Sequence, residues 1–198
     1  MSFVYRDRLL AESGDRQRWL AERAAGVTAT DAAKLATRRS IASVAQSKVF
    51  PSGFSGNIYT DYGQVREPII ADWISGNFEI RPSTSLFHAV ENRRHLATPD
   101  GIRECGDGSL ELAEIKTTNK PWERIPRPYL RQIWWQQHVL DADRTLLVWE
   151  QHEDFVPVPR GLHYRWIYRD DEQIKHLVAL ADELLEAVES LRERAGRD

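Results

Sequence analysis

The sequence predicts an α/β fold with a mixed central β-sheet flanked by helices. Three observations carry that expectation. Residues 171–194 place Ile174, Leu177, Val178, Ala181, Leu184, Leu185, Val188 and Leu191 on one stripe at helical spacing. Leu146-Leu147-Val148-Trp149 is a strongly apolar run of strand length. The order along the chain is helices, several short strands, then helix, strand, strand and helix, which suits a sheet covered by helices. The 198 residues suffice for one domain with a real core. The expectation is a single domain over 1–198, with an N-terminal helical, end-binding part over 1–60 and a core with its C-terminal helix over 61–198.

Taken in order, residues 5–23 read as a helix or helix pair broken at Ser13-Gly14-Asp15, with Trp19 and Leu20 as apolar contacts. Thr28 or Thr30 is a helix N-cap, with Asp31 in the first turn. A helix start with free N–H groups, a hydroxyl and a nearby Arg is also a phosphate site, so both readings stay open. Residues 37–57, ending in Pro51-Ser52-Gly53-Phe54-Ser55-Gly56-Asn57, read as a loop. Residues 62–75 read as a helix whose Val65, Ile69, Ile70 and Trp73 face the core, with Glu67 off that stripe, Pro68 marking a start or kink, and Gly76-Asn77 ending it. Short strands follow at 78–81 and 85–90, then a turn at 91–94. His88 and His95 are structural or exposed, because no second His stands at zinc-ligand spacing. Residues 129–140 form an amphipathic helix on which Tyr129, Gln132, Ile133 and Gln136 share a face. Trp134 and Trp135 suit packing better than base stacking. Strands at 145–150 and 163–168 flank a loop with Pro157 and Pro159, and the long helix closes the chain.

Composition sets bounds. With 41% hydrophobic and 29% charged residues the chain is ordinary for a globular protein. No apolar run approaches a membrane span, and residues 1–10 carry charges unlike a signal peptide. The lone Cys105 excludes an internal disulfide and suits a reducing cytoplasm. A net charge of −3 argues against indiscriminate nucleic-acid binding. Residues 1–50 nevertheless hold nine Lys and Arg against five Asp and Glu, and residues 170–198 hold four against nine. That asymmetry permits a basic binding surface and is equally compatible with solvated charge.

The chemistry gathers between Thr98 and Lys116. Thr98-Pro99-Asp100-Gly101 is a turn, and Leu110-Glu111-Leu112-Ala113-Glu114-Ile115-Lys116 is a strand with Glu114 and Lys116 on one face and Ile115 on the other. A hairpin between them brings Asp100 beside Glu114. Two carboxylates and an ammonium in one volume suit a hard divalent cation with open water positions. Glu-x-Lys is also a common surface ion pair, and Asp-Gly a common turn.

The ordered set Gly63-x-x-x-Glu67-Pro68, Thr98-Pro99-Asp100-Gly101, Glu114-Ile115-Lys116 and Tyr129-x-x-Gln132 resembles the YqaJ-like viral recombinase nucleases, the family of phage lambda exonuclease within the PD-(D/E)xK superfamily. The likeness extends to Trp19-x-x-x-Arg23, Gly26-Val27-Thr28-Ala29-Thr30, Gly161-Leu162-His163-Tyr164 and Arg169-Asp170-Asp171-Glu172, so it covers roughly residues 15–190. The resemblance implies a restriction-endonuclease-like core. It implies Mg²⁺, with Mn²⁺ as a substitute, held by Asp100, Glu114, the Ile115 carbonyl and Glu67. Lys116 would position or activate water, Gln132 would support it, and Arg23 with Thr28 or Thr30 would hold a DNA 5′-phosphate. It also implies duplex DNA ends as substrate, a homotrimeric ring, a single-strand annealing protein as partner and no membrane. Thr117-Thr118 stands where family members often have Cys-Pro, and Thr30 where lambda exonuclease has Ser, which keeps the hydroxyl.

These residues predict a Mg²⁺-dependent 5′→3′ exodeoxyribonuclease of phage-type recombination in the cytoplasm of a bacterial host. The rivals are a structure-specific endonuclease or nickase on the same core, and a DNA-binding recombination scaffold without catalysis.

Overall fold

The computed structural model describes residues 4–51 and 58–197. The first expected helix or helix pair divides in three: a 3-10 turn at Val4–Arg8, a strand β1 (Leu9–Ala11) and a helix α1 (Arg16–Ala25). The strand displaces a helix there because Leu10 is buried with Leu86 and Leu96, with Trp19 of α1 packed against them. Asp15 caps α1 by accepting from Arg18 N at 3.1 Å. Strand β2 (Val27–Thr28) follows Gly26, where a Cβ would lie 2.3 Å from the Arg94 carbonyl oxygen, so only glycine allows this approach. Thr28 then caps α2 (Ala29–Lys34) in a reciprocal box with Asp31.

Residues 38–49, expected as loop, are a helix, α3 (Arg38–Val49). Thr37 caps it with Ser40, and Ile41, Val44 and Ala45 form its buried face. Of the expected loop over 51–57, residues 52–57 lie outside the described residues.

Helix α4 (Ile58–Phe78) runs through Pro68 and past Gly76-Asn77, stopping before Glu79, which takes a left-handed φ of 58°. Its inward face also differs from the expected one. Val65 and Ile69 are 68% and 52% exposed, while Ile70, Ala71 and Ile74 are buried and Trp73 is partly so. The cause is the row Tyr62, Arg66, Ile70, Ile74, spaced by four. Its polar half turns inward because Arg66 grips the buried Glu150 carboxylate with two hydrogen bonds of 2.7 Å. That rotation leaves Val65 and Ile69 in solvent.

The chain continues through β3 (Arg81–Pro82), β4 (Leu86–His88), β5 (His95–Ala97), β6 (Gly101–Glu104), β7 (Leu110–Thr118), α5 (Arg127–Leu140), β8 (Arg144–Glu153), β9 (Val156–Tyr168) and α6 (Asp171–Ala195). The central sheet has the order β3-β6-β7-β8-β9 and is mixed: β7 and β8 are parallel, the other pairs antiparallel. The parallel pair requires a crossover, which α5 supplies. A second, small sheet, β1-β4-β5-β2, joins strands of two or three residues. The segment with Pro157 and Pro159, expected as a loop, belongs to β9. It tolerates prolines because β9 is an edge strand. The hairpin turns instead at Asp154 and Phe155, both at positive φ.

Helices α3, α5 and α6 cover one face of the central sheet over Leu110 and Leu112; α4 covers the other over Ala113, Ile115, Leu146 and Val148. Trp134 and Trp135 are buried, as expected of packing residues, and Trp135 Nε1 donates to the Leu96 carbonyl at 3.0 Å. Among the described residues no helix is long and apolar enough to cross a membrane.

His95 is buried between β5 and the two core helices. Its Nδ1 lies 3.1 Å from His138 Nε2, and its Nε2 lies 3.1 Å from Asp182 Oδ1. Burial first, then the neighbouring His95, lowers the His138 pKa to about 4, with Arg169 also lowering it and Glu91 and Asp182 opposing. Burial lowers His95 as well, against Asp182 and Glu91. Both rings fold neutral. In the unfolded chain each takes up a proton near pH 6.5, so the unfolded state binds more protons below that value. Stability is therefore complete above about pH 6.5 and falls towards pH 4. His138 alone accounts for a loss of about 3 kcal/mol over that window. Urea unfolding of the wild type and His138→Gln between pH 4 and 7 should give a steeper fall for the wild type; parallel curves would remove the cluster from the explanation.

Candidate active site

The site forms where β6 ends and β7 continues. The ladder pairs Gly101 with Ala113, and Asp100 N donates to the Ala113 carbonyl at 3.2 Å. One step on, β6 has no backbone to offer, and the Asp100 carboxylate takes its place: Oδ2 accepts from Ile115 N at 2.7 Å. The N–H and C=O of one strand residue point to the same side, so the Ile115 carbonyl also faces the gap beside Asp100.

Glu114 points to the opposite face, under α5, and is 1% exposed. Gln132 Nε2 donates to its Oε1 at 2.6 Å, and Gln136 Nε2 to its Oε2 at 2.7 Å. The two glutamines stand one helical turn apart and clamp both oxygens. The Lys116 ammonium pairs with Glu114 Oε1 and lies 5.3 Å from the centre of the Tyr129 ring. Above these groups opens a cleft of about 660 Å³ lined by Thr30, Gly63, Glu67, Ile115, Lys116, Thr117, Tyr129 and Gln132, among others. Glu67 enters it from α4, whose neighbouring Arg66 is anchored on Glu150. Glu67 makes no hydrogen bond or ion pair with any other described residue.

The charges are strongly coupled. Burial, then the Glu114 charge, pushes the Asp100 carboxyl well above its usual range, with Glu67 adding to the effect and Lys116 opposing it. Glu67 is also raised, first by desolvation in the cleft and then by Glu114, with Lys116 opposing. Burial lowers the Lys116 pKa, but Glu114 and Asp100 outweigh it and the net shift is upward. Three carboxylates therefore share a space with one ammonium, and each feels the others.

Among the described residues, no three His, Cys, Asp or Glu groups converge closely enough to hold an ion by themselves. The donor set still fits a hard dication. It offers carboxylate oxygens with excess negative charge and a backbone carbonyl beside them, and water completes the shell of such an ion.

Of the residues expected to hold a phosphate, Thr30 lines this cleft and Arg23 and Thr28 do not. Arg23, in the last turn of α1, rests over the Trp19 ring at 4.2 Å, and its Nη1 is 3.5 Å from Thr98 Oγ1, two residues before Asp100. Burial lowers its pKa, with Asp31 opposing. The Thr28 hydroxyl is buried and engaged with Asp31, which Lys48 also grips at 2.8 Å. Thr30, by contrast, is exposed and lines the cleft. Sequence reasoning singled out Gln132 and placed Gln136 on the same face, but assigned Gln136 no role. The i, i+4 spacing of two glutamines on that inward face was the available signal.

The chain is similar to a known domain family and to several solved structures. Residues 18–143 match the YqaJ-like viral recombinase domain. No curated protein sequence matches the chain. Among solved structures, an alkaline exonuclease (LHK-Exo) from Laribacter hongkongensis is 22% identical, with a TM-score of 0.65, over 91% of this chain and 98% of that one. Its complex with dAMP gives 21% identity and a TM-score of 0.68 over the same shares. A phage related exonuclease from Haemophilus somnus is 13% identical, with a TM-score of 0.67, over 86% of this chain and 96% of that one. At these identities the likeness is one of fold, and it is the restriction-endonuclease-like fold that the sequence led us to expect.

Proposed function

Because the chain belongs to the YqaJ-like viral recombinase family, we propose that it is a Mg²⁺-dependent deoxyribonuclease that digests one strand of linear duplex DNA 5′→3′ in phage-type recombination. The observation that carries this reading is the Asp100, Glu114 and Lys116 cluster, clamped by Gln132 and Gln136 below a cleft that Glu67 enters.

Asp100, Glu114, the Ile115 carbonyl and Glu67 would hold the Mg²⁺ ion, for which Mn²⁺ substitutes. When bound, the ion lowers the pKa of water and offsets charge on the phosphate. The chain does the rest. Gln132 and Gln136 fix the rotamer of Glu114, and Ile115 N fixes that of Asp100. Lys116, with its raised pKa, stays an ammonium at neutral pH. Its Nζ therefore donates: it orients the attacking water and stabilises charge on the phosphate oxygens as the 3′ oxygen leaves. The Glu67 carboxylate, whose pKa is raised by desolvation and the Glu114 charge, accepts the proton from the water. Arg23 and Thr30 receive the 5′-terminal phosphate. The helix end contributes little to this, since α2 has six residues and Thr28 and Asp31 already cap it.

The homotrimeric ring, the single-strand annealing partner and a bacterial cytoplasmic setting belong to the same reading. Cleavage with Mg²⁺ should be compared on 5′-phosphorylated linear duplex, the same duplex with a 5′ hydroxyl, and covalently closed circles. The expected result is loss of the phosphorylated linear species, slower loss of the hydroxyl form by about tenfold or more from the missing charge-assisted contacts, and intact circles. Cut circles would move the reading to an endonuclease. Inert but folded protein with Mg²⁺ or Mn²⁺ would favour the scaffold.

A further inference from the structure

We propose that Trp122, in the loop between β7 and α5, is a positioning residue for Lys116: it holds the Tyr129 ring over the ammonium. The inference rests on the nuclease reading above, in which that ammonium donates to water and phosphate.

Four observations carry it. A chain of rings ends at the ammonium. Lys116 Nζ lies 5.3 Å from the centre of the Tyr129 ring, within reach of a cation–π attraction. Tyr129 lies 5.1 Å from Trp122 at a tilt of 32°, and Trp122 stacks on Trp149 at 5.2 Å and 19°. The far end of that chain is fixed by strand register. Trp149 of β8 pairs with Lys116 of β7, and His163 of β9 pairs with Trp149 and stacks on it at 5.4 Å and 25°. Partners in register emerge on one face of a sheet, so Trp149 stands beside Lys116 on paired backbone. Trp122 thus links a strand residue to Tyr129.

The helix itself holds Tyr129 weakly, which is the third observation. Tyr129 sits in the first turn of α5, where Pro126 is the N-cap and no side chain caps the free N–H groups. Residues 119–126 before it are neither helix nor strand. Helix ends fray, and the Trp122 stack anchors this one. Finally, the cleft is lined by Tyr129 and Lys116 but not by Trp122, so Trp122 acts through another side chain. A lysine stem is flexible, and the Glu114 ion pair holds its ammonium from one side only. The ring holds it from a second side. A ring face attracts a cation without carrying a net charge, so it orients the ammonium and leaves the charge available to the phosphate.

The test has a structural and a kinetic arm. Protein labelled with ¹³C at the lysine ε-carbon gives one signal for each of its five lysines, and that of Lys116 is the one missing from Lys116→Arg. In the wild type at pH 7 the ring current of Tyr129 should move the Lys116 ε-protons upfield of the remaining lysines. Trp122→Ala should return them towards the others, and Trp122→Phe, which keeps a ring in the stack, should not. Single-turnover cleavage of phosphorylated linear duplex with Mg²⁺ at saturating DNA should slow about tenfold in Trp122→Ala, with the half-saturating DNA concentration unchanged, and recover in Trp122→Phe. An unmoved Lys116 signal in Trp122→Ala, an unchanged rate, or a loss of DNA affinity with the saturated rate intact overturns the proposal. An inert wild type defeats the nuclease reading, while the Lys116 signal still decides whether Trp122 holds the ring.

Discussion

Replacing Lys116 with Met should slow cleavage of linear duplex DNA about 1,000-fold or more, because it removes the cationic donor in the site. Met keeps the aliphatic stem while deleting the ammonium that pairs with Glu114 and lies over the Tyr129 ring. The change also destabilises the fold. Glu114 is 1% exposed, and removing one partner of a buried pair leaves an uncompensated charge, a loss of up to about 3–5 kcal/mol. The two glutamines moderate that loss by continuing to donate to Glu114. Single-turnover rates well below the melting temperature, with circular dichroism as a check on folding, separate the two effects. A folded variant within tenfold of wild type would remove Lys116 from the chemistry.

Asp100→Asn should lose activity to a similar extent and change stability with the opposite sign. Burial and the charges of Glu114 and Glu67 make the ionised Asp100 unfavourable in the fold. Asn keeps the acceptor for Ile115 N and carries no charge, so the variant should be more stable at neutral pH by about 1–2 kcal/mol. Mg²⁺ should raise the melting temperature of the wild type by binding only the folded state, and should do so much less for the variant. A destabilised Asn variant, or one whose melting temperature still rises fully with Mg²⁺, would contradict the assignment of Asp100 as a ligand.

Much of this was legible in the sequence where the signal is periodic or local. The α6 stripe, the apolar run of β8, the turn at Asp100 and the alternation of Glu114, Ile115 and Lys116 all appear in the structure as expected. The misses have a common cause in tertiary context. In α4 the apolar residues Val65 and Ile69 point outward because Arg66 is drawn inward by Glu150, a partner 84 positions away. Helix α3 has only three buried side chains, so its pattern is weak and its Ser and Arg content suggests a loop. Pro157 and Pro159 suggest a loop until β9 is known to be an edge strand. Gln136 has the right spacing, but only the structure shows that Glu114 needs two donors.

The hydrogen bond from Ile115 N to Asp100 has a consequence unrelated to hydrolysis. Strand β7 extends to Thr118, but its pairing with β6 ends at Gly101 and Ala113. Beyond that point no strand among the described residues pairs with that side of β7. Such edges seed intermolecular pairing and aggregation. The Asp100 carboxyl group occupies the first free donor, Ile115 N. The side chain that makes the gap useful to a substrate thus also keeps it from accepting a foreign strand.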